Sequence, residues 1–528
     1  VVAAVIASQG ENAGVLRAGP PIVRGRDLAG DLHLRADAVV VGTGAGGSIA
    51  LRELARAGVD VIGLEEGGHH TASDFDQREP EMISMLFQDE GARTTRDLAI
   101  RVLQGRGVGG STIHNTNLCK RTADEILDLW GRRYGVEGCS PAAMGPVFAR
   151  IEEDLSVSTI PEAFLNGNND ALRRGVAQLG WRGGMLAHNR VGCQLSGFCE
   201  LGCAYDAKQN ALKVVVPQAL AAGARLYADV RVERVAHEAG RVTGVDAALY
   251  GSKGEVRGRI RVDAKVVVLA GSAIGSAAIA LASGLPDPDD QIGRDLRIHP
   301  GAVVAGAFDD RLDSWRGIPQ SYECTELLDL GEGSDKRVWI VPAFAHPIGC
   351  ASALPGFGAS HMRAMREYPR LAVFTAMVHD ETRGRVTLED GRPSIAYMLS
   401  ESDREQLAKG VVACAKLMFA AGAREVTIPA IPPVRLRSAK DLETLDTRFV
   451  RPHGVPMTAV HPMGSLRMGG DRRRSVVGST GEHHYVKGLF VADGSLFPTS
   501  LGGPPQISIY SFALKLAPHM VERAKGRG

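Results

Sequence analysis

Unbroken apolar runs separated by glycine-rich breaks set the rhythm of residues 37–67. Ala38–Val41 has no polar position, which predicts a strand buried on both faces. Gly42, Gly44 and Gly47 follow at G-x-G-x-x-G spacing, residues 49–57 carry apolar positions at helical spacing, and a second apolar run ends at Leu64, just before Glu65. The order is therefore strand, glycine turn, helix, strand. Helical periodicity returns over 140–155 and 169–179, with Ser140 and Asn169 at capping positions. A strand is expected over 225–235, a strand pair over 242–247 and 256–262, and another strand over 266–270. Past two Gly-Ser pairs, that last strand is followed by an alanine-rich helix from Ala277 to Gly284.

Between 300 and 451 the texture changes. Short alternating segments and turns, among them a hairpin at Asp390-Gly391, predict a largely antiparallel sheet. One helix interrupts it at 403–421, with Ser402 and Glu405 reading as a capping box and Leu407, Val411, Cys414, Leu417 and Met418 as its apolar stripe. The fold class is α/β: a Rossmann-like nucleotide-binding domain with an inserted α+β substrate domain on a mostly antiparallel sheet. The expected division is an N-terminal arm over 1–36, irregular or a short hairpin, and then the nucleotide domain over 37–299, with substrate-side segments at about 120–210. The inserted domain covers 300–451, and 452–528 return to the nucleotide domain.

Composition narrows the partners. With 61 basic and 60 acidic residues in 528 the formal charge is +1, so no global field points to nucleic acid or an anionic membrane. Eight cysteines in a chain of this length do not make a disulfide framework. The longest uncharged stretch, 266–286, approaches membrane-spanning length but divides into a strand, two Gly-Ser breaks and a helix, so no membrane span is expected. The chain begins at Val1 rather than Met, which leaves room for a removed leader; residues 1–7 are too short for an anchor, and a cytoplasmic setting is the expectation.

The glycine turn carries the first chemistry. Small residues let backbone approach a pyrophosphate seated on the exposed N–H groups of a helix start, while an acid at the end of the next strand accepts ribose hydroxyls. Glu65 and Glu66 both qualify for that role, and Glu65 is preferred because it directly follows Leu64. The bland alternative is a plain α/β turn, but strand, helix and acid all stand where dinucleotide binding needs them. A second glycine-rich turn at Gly105, Gly107, Gly109 and Gly110, beside Ser111, Thr112 and Asn115, offers backbone donors to a flat ligand or is a surface loop.

Taken together, the glycine turn, VGGSTIHN at 108–115, GSAIGSAAIALASGL at 271–285, VHPMGSLRMG at 460–469 and LFVADGSLFPTSLGGPPQISIY at 489–510 resemble the glucose-methanol-choline (GMC) FAD-dependent oxidoreductases. The texture is most similar to bacterial members related to long-chain alcohol oxidase, cholesterol oxidase and sugar dehydrogenases. The resemblance implies FAD, with Gly42, Gly44 and Gly47 on its pyrophosphate and Glu65 on the adenosine ribose. Gly110, Ser111 and Asn115 would lie along the isoalloxazine, the Val232 backbone on the adenine, and Asp493 and Gly494 on the pyrophosphate and ribityl region. Pro505 and Gln506 would reach the flavin ring. It also implies a hydroxyl-bearing small-molecule substrate, oxidised by hydride transfer to flavin N5 with His461 as base, and oxygen or a protein or quinone acceptor for the electrons.

The motif departs from the family in one place. Where a second Asn or His usually shares the substrate oxygen, this chain has Pro504, which has no polar side chain and no N–H. Gln506 or a residue of the substrate domain takes its place, or one polar partner suffices, or the scaffold does other chemistry, such as a flavin-dependent lyase or decarboxylase reaction. A degenerate flavoprotein that only binds cofactor is a further alternative. Finally, Cys193, Cys199 and Cys203 form C-x5-C-x3-C among glycines, a triplet similar to one that holds an iron–sulfur cluster in some sugar dehydrogenases of the family; the alternatives are a tight loop with buried thiols or one disulfide.

Overall fold

The apolar runs become the middle of a parallel sheet. The computed structural model describes residues 22–251, 254–343 and 346–526, so the expected arm is outside them over 1–21. Six parallel strands lie in the spatial order Val23–Arg24, Arg225–Ala228, Val61–Leu64, Ala38–Val41, Val266–Leu269 and Leu489–Val491. Val61–Leu64, Ala38–Val41 and Val266–Leu269 are buried at every residue, as their lack of polar positions requires. The helix Ala45–Arg56 packs on them and Gln506–Ala524 packs against that helix.

Residues 22–36 are neither irregular nor a hairpin. Val23–Arg24 extends the parallel sheet, and Leu32–Arg35, alternating in burial, pairs in parallel with Val256–Asp263. Residues 225–235 are also not one strand. Asp229, at φ 58° and paired with Arg26 at 2.8 Å, breaks them into Arg225–Ala228 of the parallel sheet and Val230–Glu238, which opens an antiparallel sheet with Arg241–Tyr250 and Val256–Asp263.

A nine-stranded, mainly antiparallel sheet forms the other half. Its centre is Gly301–Ala307, Leu371–Val378 and Val338–Pro342, and it recruits Ile100–Val102, Gly183–Met185 and Met457–Ala459 from outside 300–451. Strand alternation divides its faces. Ala376 and Val338 lie against Gly410 of the helix Glu401–Ala420, and Gly306 against Met418 of the same helix, while Val303, Ala305, Val373, Thr375 and Met377 face a cavity.

Local details differ from the sequence expectation where side chains have long-range work. Ser400, not Ser402, caps Glu401–Ala420, because Asp403 lies buried against Arg337 and the Thr382 amide. Asn166, not Asn169, caps Gly167–Leu179; Asn169 instead accepts the Ser321 and Tyr322 N–H groups at 2.7 and 3.1 Å. Ala45–Arg56 and Ser272–Ala282 start earlier than expected and take Gly or Ser residues into their first turns. Among the described residues no helix is long and apolar enough to cross a membrane.

Candidate active site

A cavity of about 1820 Å³ is lined by both large sheets. At the parallel-sheet end, Val41 leads into Gly42, where φ is 93° and a Cβ would stand 2.4 Å from the Ala270 carbonyl oxygen, so only glycine fits. Gly44 and Gly46 continue the wall with the first turn of Ala45–Arg56, a turn that holds no acidic side chain and leaves its amide donors free for an anion. Gly110, at φ 54°, meets this turn from the other side, 2.8 Å between its Cβ position and the Gly44 Cα. Gly47 does not line the cavity. A Cβ there would stand 2.0 Å from the Gly42 carbonyl oxygen, so its smallness seats the helix on the strand rather than admitting phosphate.

Glu65 holds the two glycine turns together. Its Oε2 accepts from the Thr43 N–H and hydroxyl at 3.0 and 2.8 Å, and its Oε1 from the Gly67 and Gly107 amides at 3.0 and 3.3 Å. Burial raises its pKa, against those donors. Asp493 is likewise buried and raised, with the Ser276 and Ser495 hydroxyls and the Ser495 N–H donating to it. Asp493, Gly494 and Val232 all line the same cavity.

The loop at Gly110, Ser111 and Asn115 borders its middle. Ser111 Oγ accepts from the Gly105 amide at 2.8 Å, and the buried Lys208 ammonium donates to the carbonyls of Ile113, Asn115 and Cys199 at 2.6–2.8 Å. Burial brings that lysine down to about 8. Nε2 of His114, buried on the same wall, has no hydrogen-bond partner among the described residues. A long cavity, a glycine-walled helix start and an orphaned buried nitrogen together fit a bound dinucleotide.

Pro504, Pro505, Gln506 and His461 close the wall at the junction with the substrate sheet. His461 follows the strand Met457–Ala459 of that sheet, and the Pro462 carbonyl and Gly464 amide touch Gly494. The Gln506 carboxamide does not stand in for the missing Asn or His: its oxygen accepts from Asn115 at 2.8 Å and its amide donates to the Leu118 carbonyl at 2.6 Å. The group set against His461 is His299, Nδ1 to Nδ1 at 3.2 Å with the rings nearly perpendicular at 87°. Burial pushes both imidazoles well below their ordinary range, His379 adding to the effect on His299 and His299 to that on His461.

His299 escaped the sequence reading. It sits in R-I-H-P at the seam between the two halves, 162 positions from its partner, and nothing local marks it. The cysteine triplet fails as a metal site. Among the described residues no three His, Cys, Asp or Glu side chains converge on a metal position, and all eight thiols are free. Cys193 Sγ accepts from the Arg190 guanidinium, Cys203 Sγ accepts the Ala207 N–H at 3.3 Å, and buried Cys199, whose carbonyl accepts from Lys208, lies within electrostatic reach of both other thiols.

Family models described as GMC oxidoreductase match residues 83–301 and 380–513. The chain is 35% identical over 497 residues to an uncharacterized GMC-type oxidoreductase of Mycobacterium tuberculosis, covering 93% of this chain and 77% of that one. It is 28% identical to a long-chain-alcohol oxidase of Arabidopsis thaliana, over 94% of this chain and 68% of the relative. The crystal structure of pyridoxine 4-oxidase from Mesorbium loti superposes with a TM-score of 0.69 at 18% identity, over 92% and 99% of the two chains. Sequence and fold agree on the family: the chain belongs to the GMC oxidoreductases and is an FAD-binding oxidoreductase.

Proposed function

We propose that this protein oxidises a hydroxyl group of a small molecule to a carbonyl. FAD, when bound, would supply the two-electron acceptor for the hydride, at N5. Gly42, Gly44, Glu65, Val232, Asp493 and Gly494 would hold its adenosine and pyrophosphate part, and Glu65, whose longest contact is the Gly107 amide at 3.3 Å, is the acceptor for a ribose hydroxyl. Gly110, Ser111, Asn115, Pro505 and Gln506 would border the ring, and His461 meets the substrate oxygen, the place where the sequence reading expects a base. The electrons pass on to oxygen or to a protein or quinone acceptor.

One observation carries the reading: His461 stands in the wall of a single cavity whose one end is glycine turns and whose other end is the face of a sheet. That face, with Val303, Ala305, Val373, Met377 and Trp339, suits a substrate with an apolar body, and long-chain-alcohol oxidases among the relatives support a hydroxyl-bearing one. Anaerobic mixing of the holoenzyme with a series of alcohols tests it: the flavin absorbance bleaches with a substrate, and His461→Ala slows the bleaching by about 10²- to 10⁴-fold. Equal rates in parent and variant remove His461 from the mechanism. A second reading, lyase or decarboxylase chemistry on the same scaffold, is favoured by Pro504, whose side chain brings neither donor nor acceptor to the wall and which has no N–H. Anaerobic turnover with no net bleaching selects that reading.

A further inference from the structure

We propose that His299 is a positioning residue that fixes His461 as a hydrogen-bond donor at rest, so that the substrate oxygen is held by the Nε2–H of His461 at the end of a one-way chain of donors. The proposal rests on the reading of His461 as the group that meets the substrate oxygen, and replaces its role as base.

The direction of the chain follows from its far end. The Gly502 amide lies 3.2 Å from Nε2 of His299. A backbone N–H only donates, so that ring nitrogen carries no proton, and a neutral His299 holds its proton on Nδ1. Nδ1 of His299 lies 3.2 Å from Nδ1 of His461, which must then accept, leaving the proton of a neutral His461 on Nε2. Reversing the pair would bring two N–H groups together at Gly502. Nε2 of His461 has no partner among the described residues, and the ring lines the cavity.

The geometry is held from behind. The Asp380 carboxylate accepts from the Ile298 amide at 2.9 Å, the Tyr397 hydroxyl at 2.6 Å and the Ser500 hydroxyl at 2.8 Å, tying the segment that bears His299 to the loop that bears Gly502. His299 itself is kept at φ 49°, a conformation that non-glycine residues rarely hold without such support. Burial disfavours the imidazolium of either ring, so the neutral arrangement is the working one.

Amide, His299 and His461 thus point their donors the same way, towards the place where negative charge grows as the hydroxyl loses its proton. Aligned donors polarise one another and stabilise an oxyanion. With FAD bound to take the hydride, the hydroxyl proton would pass to water, and the donor that Pro504 lacks is supplied by a residue from a distant segment, acting through His461.

Long-range proton–nitrogen correlation spectra of ring-¹⁵N-histidine holoenzyme decide the tautomers, with the two signals assigned by their loss in His461→Gln and His299→Phe. Nε2–H on His461 and Nδ1–H on His299 are the expected result; Nδ1–H on His461 overturns the proposal. This measurement needs no substrate, so it stands apart from the reading of the activity, which fails if no hydroxyl compound bleaches the wild-type flavin. Rates of anaerobic bleaching give the second test. Gln keeps an N–H but is no base, so His461→Gln retains a rate within about tenfold of wild type while His461→Ala loses about 10²- to 10³-fold, the cost of one oxyanion donor. Equal loss in both overturns the donor role. His299→Phe lowers kcat with little change in KM, and His299→Asn, which can accept from Gly502 and donate to His461, restores part of it.

Discussion

The two ends of the cavity are built on opposite principles. At the parallel-sheet end much of the wall is backbone, and the sequence supplies absence: Gly42, Gly46 and Gly110 are there because a Cβ has no room or because the chain must take a positive φ. At the antiparallel end the working groups are side chains standing alternately on strands, and the backbone is only their frame. The first end therefore tolerates almost no substitution, whereas the second can change its lining without losing its fold. A family can keep one cofactor while its substrates vary on such a plan.

The sharpest test of that contrast is Gly46→Ala. Its Cβ would stand 1.5 Å from the Ala492 carbonyl oxygen, a backbone atom fixed between helix and sheet. The expected outcome is a loss of about 4 kcal/mol or more and purification without flavin, read by thermal denaturation and by the visible spectrum. A yellow, normally stable variant would show that the helix can shift and that the glycine wall is less rigid than described. Next comes Asp380→Asn, behind the histidine pair. Four donors converge on that carboxylate, the Ile298 and His299 amides and the Tyr397 and Ser500 hydroxyls, and an amide NH₂ cannot accept them all. A loss of about 1.5–3 kcal/mol in stability is expected, with flavin content near normal and anaerobic bleaching slowed. Loss of flavin instead would mean that Asp380 serves the cofactor end.

The same contrast explains what the sequence could reveal. The strand Ala38–Val41, the glycine turn and the acid after Leu64 are contiguous, and each is dictated by local backbone sterics, so spacing alone places them. Asp493 and His461 come with recognisable surroundings. His299 does not, because its meaning lies in a contact with a ring 162 positions away and in an amide at Gly502. Ser402 and Asn169 look like caps by spacing and lose that role to Ser400 and Asn166, because Asp403 and Asn169 are pulled into long-range hydrogen bonds. The cysteine triplet is the converse case: its spacing permits a cluster, yet among the described residues no three ligating side chains converge on a metal position.

At the substrate end, Val303→Ala should be nearly silent in stability and flavin content. Removing two methyl groups from the cavity face of Gly301–Ala307 weakens the hold on an apolar alcohol, raising KM by about fivefold with bleaching at saturation unchanged. A drop in flavin content would blur the division between the two ends.

The smallest effect concerns how each end buries charge. Glu65 and Asp493 are raised by burial but satisfied by amide and hydroxyl donors, whereas among the described residues no group donates a hydrogen bond to Glu200, which faces the cavity with only the Lys208 charge to favour its anion. Burial, with the nearby Glu79 charge adding to it, pushes Glu200 up to about 7 from an ordinary 4.5. A carboxyl with a raised folded pKa binds more protons folded than unfolded between those values, so its contribution to stability is complete below about 4.5 and is lost as pH rises through about 7. Glu200→Gln has no such dependence. The stability of the wild-type holoenzyme, read from its thermal midpoint, should therefore fall relative to the variant between pH 5 and 8, by on the order of 1 kcal/mol because the group is open to the cavity. A difference that stays constant across that range would mean that Glu200 is solvated as well as any surface carboxylate, and that both ends of the cavity treat charge alike.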